Sequence, residues 1–296
     1  VLGHPIAHSL SPALHRAAHR ALGLDWSYEA IDTTEEQLPA VVGRLDASWA
    51  GLSVTMPLKV AMMGLVHVVE PLAEVVGAVN TVLVTEGGAM LVGANTDVFG
   101  IVAALREGYA RRRAAADRSD DGETGAGDPV GHAVVLGAGA TAASALAALG
   151  ELGQPFVDVH LRSMARAGST VRAAHRMGIT PQFLAGDPVA AVARWRAADT
   201  VVSTLPPHAA DPLAAALREV GEPVHGVLLD CAYDPRPTAL GRAWRTLGGT
   251  VVGGERMLLH QATEQVRLMT GRPAPIAAMS DAMEAALAPQ AADVVA

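Results

Sequence analysis

Lysine is almost absent from this chain: Lys59 is the only one, and every other residue among the 22 Lys and Arg is arginine. Asparagine occurs twice, at Asn80 and Asn95, and cysteine once, at Cys231. A single cysteine excludes an internal disulfide framework and a thiolate zinc cluster, and no metal is expected. A basic surplus is missing too. With a net charge of -8 there is no concentrated cationic face for a phosphate backbone, so nucleic acid is not an expected partner. The uncharged stretch 130–150 has the length of a membrane span, but Gly137, Gly139, Thr141 and Ser144 break its apolarity and it reads as strand, glycine turn and helix. No membrane partner is expected. With no signal peptide visible, a reducing cytoplasm is the expected compartment. The first residue is Val1, not methionine, and a few residues of a first strand are expected to precede it.

Half of the residues are hydrophobic and 18% are charged, which suits a globular enzyme or binding protein with a sizeable core. At 296 residues there is room for two domains of roughly 100 to 200 residues each. Rarity makes Lys59 informative. Guanidinium stays charged at all working pH values, whereas an ammonium can lose its proton when partly desolvated, as a proton donor or acceptor must. Trp49 to Val54 reads as a strand, Thr55 as a helix cap and Pro57 as a first-turn residue, which puts Lys59 one turn into a helix and facing a cleft. A solvated lysine at a helix start has the same local pattern; only its uniqueness argues for chemistry.

The chain opens with a loop holding Pro5, Ser9, Ser11 and Pro12, followed by a helical pattern over 13–22. Ser9 and Ser11 share a face if the loop is extended, and two hydroxyls on one face can bind a polyol or carboxylate. Ser11 also suits a helix N-cap with Pro12 as the first helical residue. Tyr28 to Ile31 reads as a strand and Thr33 to Leu45 as a helix. Strands over 82–84 and 90–92 flank a hairpin at Gly87 and Gly88. Asn80, Asn95 and Asp97 sit at the strand ends, either as turn formers or as fixed hydrogen-bonding groups.

Four segments, Ser9-Leu10-Ser11-Pro12, Ser53-Val54-Thr55-Met56-Pro57-Leu58-Lys59, Gly77-Ala78-Val79-Asn80-Thr81 and Asn95-Thr96-Asp97, resemble the ordered motifs of the shikimate dehydrogenase family, and the resemblance runs nearly end to end. It implies that Ser9, Ser11, Thr55, Asn80 and Asp97 bind the hydroxyls and carboxylate of shikimate, with Lys59 and Asp97 as the catalytic pair. Ser53 departs from the asparagine usual in the family, which bears on local loop geometry.

A helical pattern over 100–109 leads out of the first domain, and the polar run 111–131 reads as a linker or mobile loop. Ala133 to Leu136 is a buried strand, followed by Gly137-Ala138-Gly139-Ala140-Thr141 and an alanine-rich helix to Leu149. That order sets a pyrophosphate on a helix N-terminus, where backbone N–H groups are free and glycine allows close approach. Ala140 stands where a third glycine is common. A second strand, Phe156 to Leu161, ends in Arg162-Ser163-Met164-Ala165-Arg166. By the family resemblance Arg162, Ser163 and Arg166 form a 2′-phosphate clamp, so the expected cofactor is NADP. Asp158, at the distance of an NAD-type acid, falls inside the strand and reads as structural. Strands near 200–203, 224–230 and 250–252 continue a doubly wound pattern. Asp230-Cys231-Ala232-Tyr233-Asp234-Pro235 and Gly253-Gly254-Glu255-Arg256-Met257-Leu258-Leu259-His260-Gln261 resemble the family's closing motifs. They imply Tyr233 over the substrate, Cys231 and Gly254 beside the nicotinamide and Gln261 in the substrate pocket. Cys231 also reads as a small buried hydrophobe.

The expected architecture is α/β: an N-terminal substrate-binding and catalytic domain (1–99, with 257–296 packing back on it) and a C-terminal Rossmann-like NADP domain (100–256, with a mobile loop 111–131). The expected activity is reversible NADPH-dependent reduction of 3-dehydroshikimate to shikimate by a monomer or homodimer. A quinate/shikimate dehydrogenase and a noncatalytic shikimate-binding regulator are the alternatives.

Overall fold

A computed structural model of the chain describes residues 1–116, 131–154 and 156–288. In order, the first elements are β1 (Leu2–Gly3), α1 (Ser11–Leu22), β2 (Ile31–Asp32), α2 (Leu38–Val42), β3 (Gly51–Ser53), β4 (Val68–Val69), α3 (Pro71–Val76), β5 (Thr81–Thr85), β6 (Met90–Ala94) and α4 (Asp97–Ala116). Next come β7 (His132–Leu136), α5 (Ala140–Glu151), β8 (Phe156–Leu161), α6 (Gly168–Arg176), β9 (Gln182–Ala185), α7 (Val192–Trp195), β10 (Thr200–Ser203) and α8 (Asp211–Val220). The last are β11 (Val227–Asp230), α9 (Ala239–Thr246), β12 (Thr250–Gly253), α10 (Gly254–Thr270) and α11 (Ile276–Leu287). Two compact units result: Val1–Val69, Val79–Thr96 and Gln261 onward form the first, and Glu70–Ala78 with Asp97–His260 the second.

In the first unit β3, β5, β6 and β4 form a sheet in that order, with β5 antiparallel to both β3 and β6 and β4 parallel to β6. The parallel pair β1–β2 joins it through a bridge between Leu2 and Val54. Helix α11 packs on α1. The hairpin turn lies over Glu86–Gly88, where Gly87 (φ 65) and Gly88 (φ 97) adopt the left-handed backbone that glycine tolerates. Several local expectations are corrected here. The strand expected over 28–31 is only Ile31–Asp32, and the helix over 33–45 is only Leu38–Val42. Helix α1 begins at Ser11 with Leu10 as its cap residue; the capping oxygen is that of Ser9, which accepts from the Ser11 N–H at 3.3 Å. Ser9 and Ser11 are thus not on an extended segment.

The second unit is built on a six-stranded parallel sheet, ordered β12-β11-β10-β7-β8-β9. The order reverses between β7 and β10, the place where open α/β sheets leave a crevice for ligands beyond the strand ends. Its central strands β7, β10 and β11 are rich in Val, Leu and Ala and buried on both faces, as a sheet covered by helices on each side requires. One face packs on α4, α5 and α6, the other on α8 and α9, where the rings of Trp195 and Trp244 stack at 6.2 Å. Helix α4 continues through Arg111–Ala116, residues expected in the polar linker, because alanine and arginine favour helix and Arg111 pairs with Glu107 one turn back at 3.1 Å. Residues 117–130, the remainder of that expected loop apart from Gly131, lie outside the described residues.

Candidate active site

The first unit concentrates buried amides and hydroxyls at one end of β5. Asn80, 1% exposed, accepts at Oδ1 from the Thr96 N–H (2.8 Å) and the Thr81 hydroxyl (2.8 Å). Its Nδ2 donates to Thr96 Oγ1 (2.9 Å) and to Gln261 Oε1 (3.4 Å), so Asn80, Thr96 and Gln261 meet directly. A second chain adjoins this one. The Tyr28 hydroxyl donates to Ser53 Oγ (2.6 Å), Ser53 donates to Gln265 Oε1 (2.8 Å), and Gln265 Nε2 donates to the Asn80 carbonyl (3.1 Å) and to Thr81 Oγ1 (3.0 Å). Buried polar groups this fully paired are held in one arrangement. Burial pushes the Tyr28 phenol up, against opposing hydrogen bonds with the Ser53 and Ser11 side chains. His15 stacks on Tyr28 with ring centroids 4.2 Å apart, and burial lowers its pKa to about 3, so the ring is neutral.

Lys59, half-buried, follows β3 on a run of turns, not on the α-helix expected from Thr55 and Pro57. The reason is visible in the backbone. The Lys59 carbonyl accepts from the Val79 N–H at 2.9 Å, which ties the loop to the residue before Asn80 and withdraws that carbonyl from any helical ladder. Thr55 likewise is no helix cap: its N–H donates to the Leu2 carbonyl at 2.9 Å, and a side chain at Gly3 would meet its methyl group 2.4 Å away. Ser11 is buried and Ser9 and Thr55 are half-buried. Asp97, 3% exposed, is the first residue of α4 and directly follows Thr96 of the amide cluster, at a helix end whose dipole favours a carboxylate.

In the second unit β7 runs into the glycine turn as expected. Gly137 has φ +113, and a Cβ there would lie 2.5 Å from Thr204 Oγ1, so only glycine fits. Gly139 is the extended residue before α5, and a Cβ on it would meet no atom within 4 Å. The turn is anchored by Thr170, whose hydroxyl donates to the Ala138 carbonyl at 2.8 Å. Ala138, Ala140 and Thr141 are half-buried around it, with Ala140 opening the helix. A cavity of about 920 Å³ lies beyond these strand ends, lined among others by Gly137, Gly139, His160, Arg162, Ser163 and Leu205. Free N–H groups at a 12-residue helix start, an arginine at the mouth and this volume suit a dinucleotide phosphate. Arg162 and Ser163 are exposed, and Ser163 Oγ accepts from the Ala165 N–H at 3.3 Å. Arg166 ends the short turn that follows, and its side chain lies outside the described residues. Asp158 is buried inside β8 and its Oδ2 receives Arg194 and His132, each at 3.1 Å.

Cys231 and Tyr233, both half-buried, follow β11, and burial raises the Tyr233 phenol's pKa with the Asp234 charge adding to it. A Cβ on Gly254 would sit 2.2 Å from the Cys231 carbonyl oxygen, so close backbone approach demands glycine there. Glu107 on α4 binds Arg256 (2.6 Å) and His260 (2.7 Å) on α10. Burial alone would raise the Glu107 pKa; hydrogen bonds from His260 and Arg256 and the Arg256 charge overcome this and bring it to about 2.

Tyr28, Thr96 and Gln265 escaped the sequence reading as functional residues; the only signal was Gln265 at one turn from Gln261, on the same helix face. Among the described residues no group of His, Cys, Asp and Glu could hold a metal ion, and no helix is long and apolar enough to cross a membrane.

Residues 1–82 match the family described as the shikimate dehydrogenase substrate binding domain, and residues 254–284 the shikimate 5′-dehydrogenase C-terminal domain. An NADP(+) shikimate dehydrogenase of Symbiobacterium thermophilum is 36% identical over 97% of this chain and 93% of its own. Among solved structures, the Mycobacterium tuberculosis shikimate dehydrogenase is 39% identical with a TM-score of 0.77, covering 96% of this chain and 97% of that one. The Thermus thermophilus shikimate 5-dehydrogenase in complex with NADP(H) and shikimate is 33% identical with a TM-score of 0.76, covering 97% and 98%. A quinate dehydrogenase from Corynebacterium glutamicum in complex with NAD is 25% identical with a TM-score of 0.77, covering 96% of this chain and 97% of that one.

Proposed function

The chain belongs to the shikimate dehydrogenase family, and we propose that the residues assembled above carry out its reaction, the reversible NADPH-dependent reduction of 3-dehydroshikimate to shikimate. NADPH supplies the hydride to the carbonyl carbon; the chain supplies alignment and a proton. Lys59 donates that proton to the carbonyl oxygen as negative charge grows there, and takes another from solvent. Asp97 holds the reacting hydroxyl and the lysine in register. Ser9, Ser11, Thr55, Asn80, Tyr233 and Gln261 bind the remaining hydroxyls and the carboxylate. Gly137, Ala138, Gly139, Ala140 and Thr141 hold the pyrophosphate on the α5 N-terminus; Arg162, Ser163 and Arg166 hold the 2′-phosphate. Cys231 and Gly254 flank the nicotinamide.

The observation that carries this reading is the hydrogen-bonded cluster of Asn80, Thr96 and Gln261, with the Lys59 loop tied to Val79 and Asp97 following Thr96. Rigid, polar and buried, it is what a polyol substrate needs and what a hydrophobic core does not. For the cofactor, Arg162 at the end of β8 supports NADP, and Asp158 supports it as well because its Oδ2 is engaged by Arg194 and His132 within the strand. We further propose a cytoplasmic protein with no nucleic-acid or membrane partner, working as a monomer or homodimer. An assay following NADPH oxidation with 3-dehydroshikimate tests the activity, with quinate and NAD as the competing pair. Turnover of quinate with NAD and none of 3-dehydroshikimate with NADPH would replace the reading, and tight shikimate binding without turnover in either assay would make the chain a regulator.

A further inference from the structure

We propose that Gln265 on α10 is a positioning residue for the substrate: its amide sets the direction of the hydrogen bonds in the buried chain that links Ser11 to Asn80, and so holds both residues in place for binding. The proposal rests on the reading of Ser11 and Asn80 as substrate-binding residues. Two backbone groups fix the directions. The Asn80 carbonyl can only accept, so the Gln265 atom 3.1 Å from it is the donor Nε2, and Oε1 is turned to the other side. The Thr96 N–H can only donate, so the Asn80 side-chain atom 2.8 Å from it is Oδ1. The bonds between them follow. Gln265 Nε2 also donates to Thr81 Oγ1 (3.0 Å), and Thr81 gives its own proton to Asn80 Oδ1 (2.8 Å). On the other side, Gln265 Oε1 faces the Ser53 hydroxyl (2.8 Å) and His15 Nε2 (3.1 Å), and both must donate to it. Ser53 has then used its proton, so the Tyr28 hydroxyl donates to Ser53 (2.6 Å), and the Tyr28 oxygen is left as the acceptor for the Ser11 side chain.

Gln265 is 1% exposed and uses both amide N–H groups and both carbonyl lone pairs in this way. His15 cannot reverse the pattern: burial lowers its pKa to about 3 against the hydrogen bond with Gln265, and the neutral ring carries its proton on Nε2. Ser53 and Thr81 are partners in the β3–β5 register, so their short hydroxyl side chains lie side by side on one face, and the Gln265 amide bonds to both. Ser53 departs from the asparagine usual in the family. An asparagine there would carry an amide into this space from β3; the present chain brings one from α10. Without that amide, Thr81, Ser53 and Tyr28 are free to turn their protons either way, and the two ends of the chain are no longer held in a single arrangement.

Steady-state kinetics on the whole enzyme tests this. Gln265→Ala should raise KM for 3-dehydroshikimate by about 5- to 30-fold, the scale of one to two net hydrogen bonds, with kcat changed less and KM for NADPH unchanged. Adding Ser53→Asn to Gln265→Ala returns an amide to the same space from β3, and should bring KM back to within about 3-fold of wild type. Gln265→Glu keeps the shape of the side chain and serves where Gln265→Ala does not fold. Ionised, it offers no donor; protonated, it regains one, and burial raises the pKa of such a carboxyl. Its KM, taken relative to wild type at each pH, should therefore fall as pH is lowered from about 9 to about 6. His15 and Tyr28, the titratable groups of the chain, stay neutral over that range. With wild type active, four results would overturn the positioning role alone: an unchanged KM for 3-dehydroshikimate in Gln265→Ala, equal rises in KM for both substrates, no recovery from Ser53→Asn, or a Gln265→Glu ratio that ignores pH. No turnover of 3-dehydroshikimate by wild type would overturn the reading of the site, and the proposal with it.

Discussion

Two single residues carry the chemistry that can be tested most directly. Lys59→Ala removes the proposed proton donor and leaves the amide cluster of Asn80, Thr96 and Gln261 in place, so kcat should fall by about 10²-fold or more while KM for 3-dehydroshikimate moves less. Steady-state kinetics decides: a raised KM with kcat preserved would make Lys59 a binding residue only. Arg162→Leu removes the cation at the end of β8, and NADPH binding should weaken by about 1.5 to 3 kcal/mol with NADH nearly unchanged. Equal losses for the two cofactors in fluorescence titrations would show that Arg162 does not meet the 2′-phosphate. What made Lys59 and Asn80 legible in the sequence was rarity, since a residue type used once or twice stands out without any fold. Tyr28, Ser53 and Gln265 had no such mark. Their roles depend on Ser53 meeting a side chain 212 positions away, a contact that only the finished fold creates.

Local order was readable at the level of elements where sequence neighbours decide it. The strand, glycine turn and helix from His132 to Glu151 form as their pattern predicts, because the strand's apolar run and the helix's alanines agree with the fold around them. The segment after β3 was not readable. Thr55 and Pro57 carry helix-start signals, yet the Lys59 carbonyl is taken by Val79 from another strand's approach, and tertiary hydrogen bonding overrides propensity. Helix α4 was legible as a helix, but not the clamp of its Glu107 with Arg256 and His260 of α10. Its consequence is an acid dependence. The Glu107 carboxyl titrates at about 2 when folded against 4.5 as its ordinary value, so the stability it contributes is complete above about 4.5 and is lost as pH falls towards about 2. Glu107→Gln should destabilise by roughly 1 to 3 kcal/mol at about pH 7, and the gap to wild type should be clearly smaller at about pH 3, closing only as pH falls to about 2. Urea unfolding at both pH values measures it, and a gap that does not depend on pH would show that the Glu107 charge contributes nothing.

On the scale of the whole molecule, the chain passes between its two compact units four times, after Val69, Ala78, Thr96 and His260. The last passage falls inside α10, whose residues to His260 belong to the second unit and whose residues from Gln261 belong to the first. Met257 and Leu259 are buried on one side of that point and Ala262, Gln265 and Val266 on the other. Each half of the helix is shorter than the ~12 residues that an isolated helix needs to persist in water. Unfolding either unit would therefore strip the tertiary support from half of α10 and expose the other half's end, taking the Glu107 clamp or the Gln261 and Gln265 hydrogen bonds with it. The two units should unfold together. Differential scanning calorimetry should show one transition whose van't Hoff and calorimetric enthalpies agree. NADP⁺ is assigned to the second unit alone, yet at about 100 times its Kd it should add about 2.7 kcal/mol to that single transition and displace it whole. Two resolved transitions, with NADP⁺ moving only one of them, would mean that α10 frays at His260 without coupling the units.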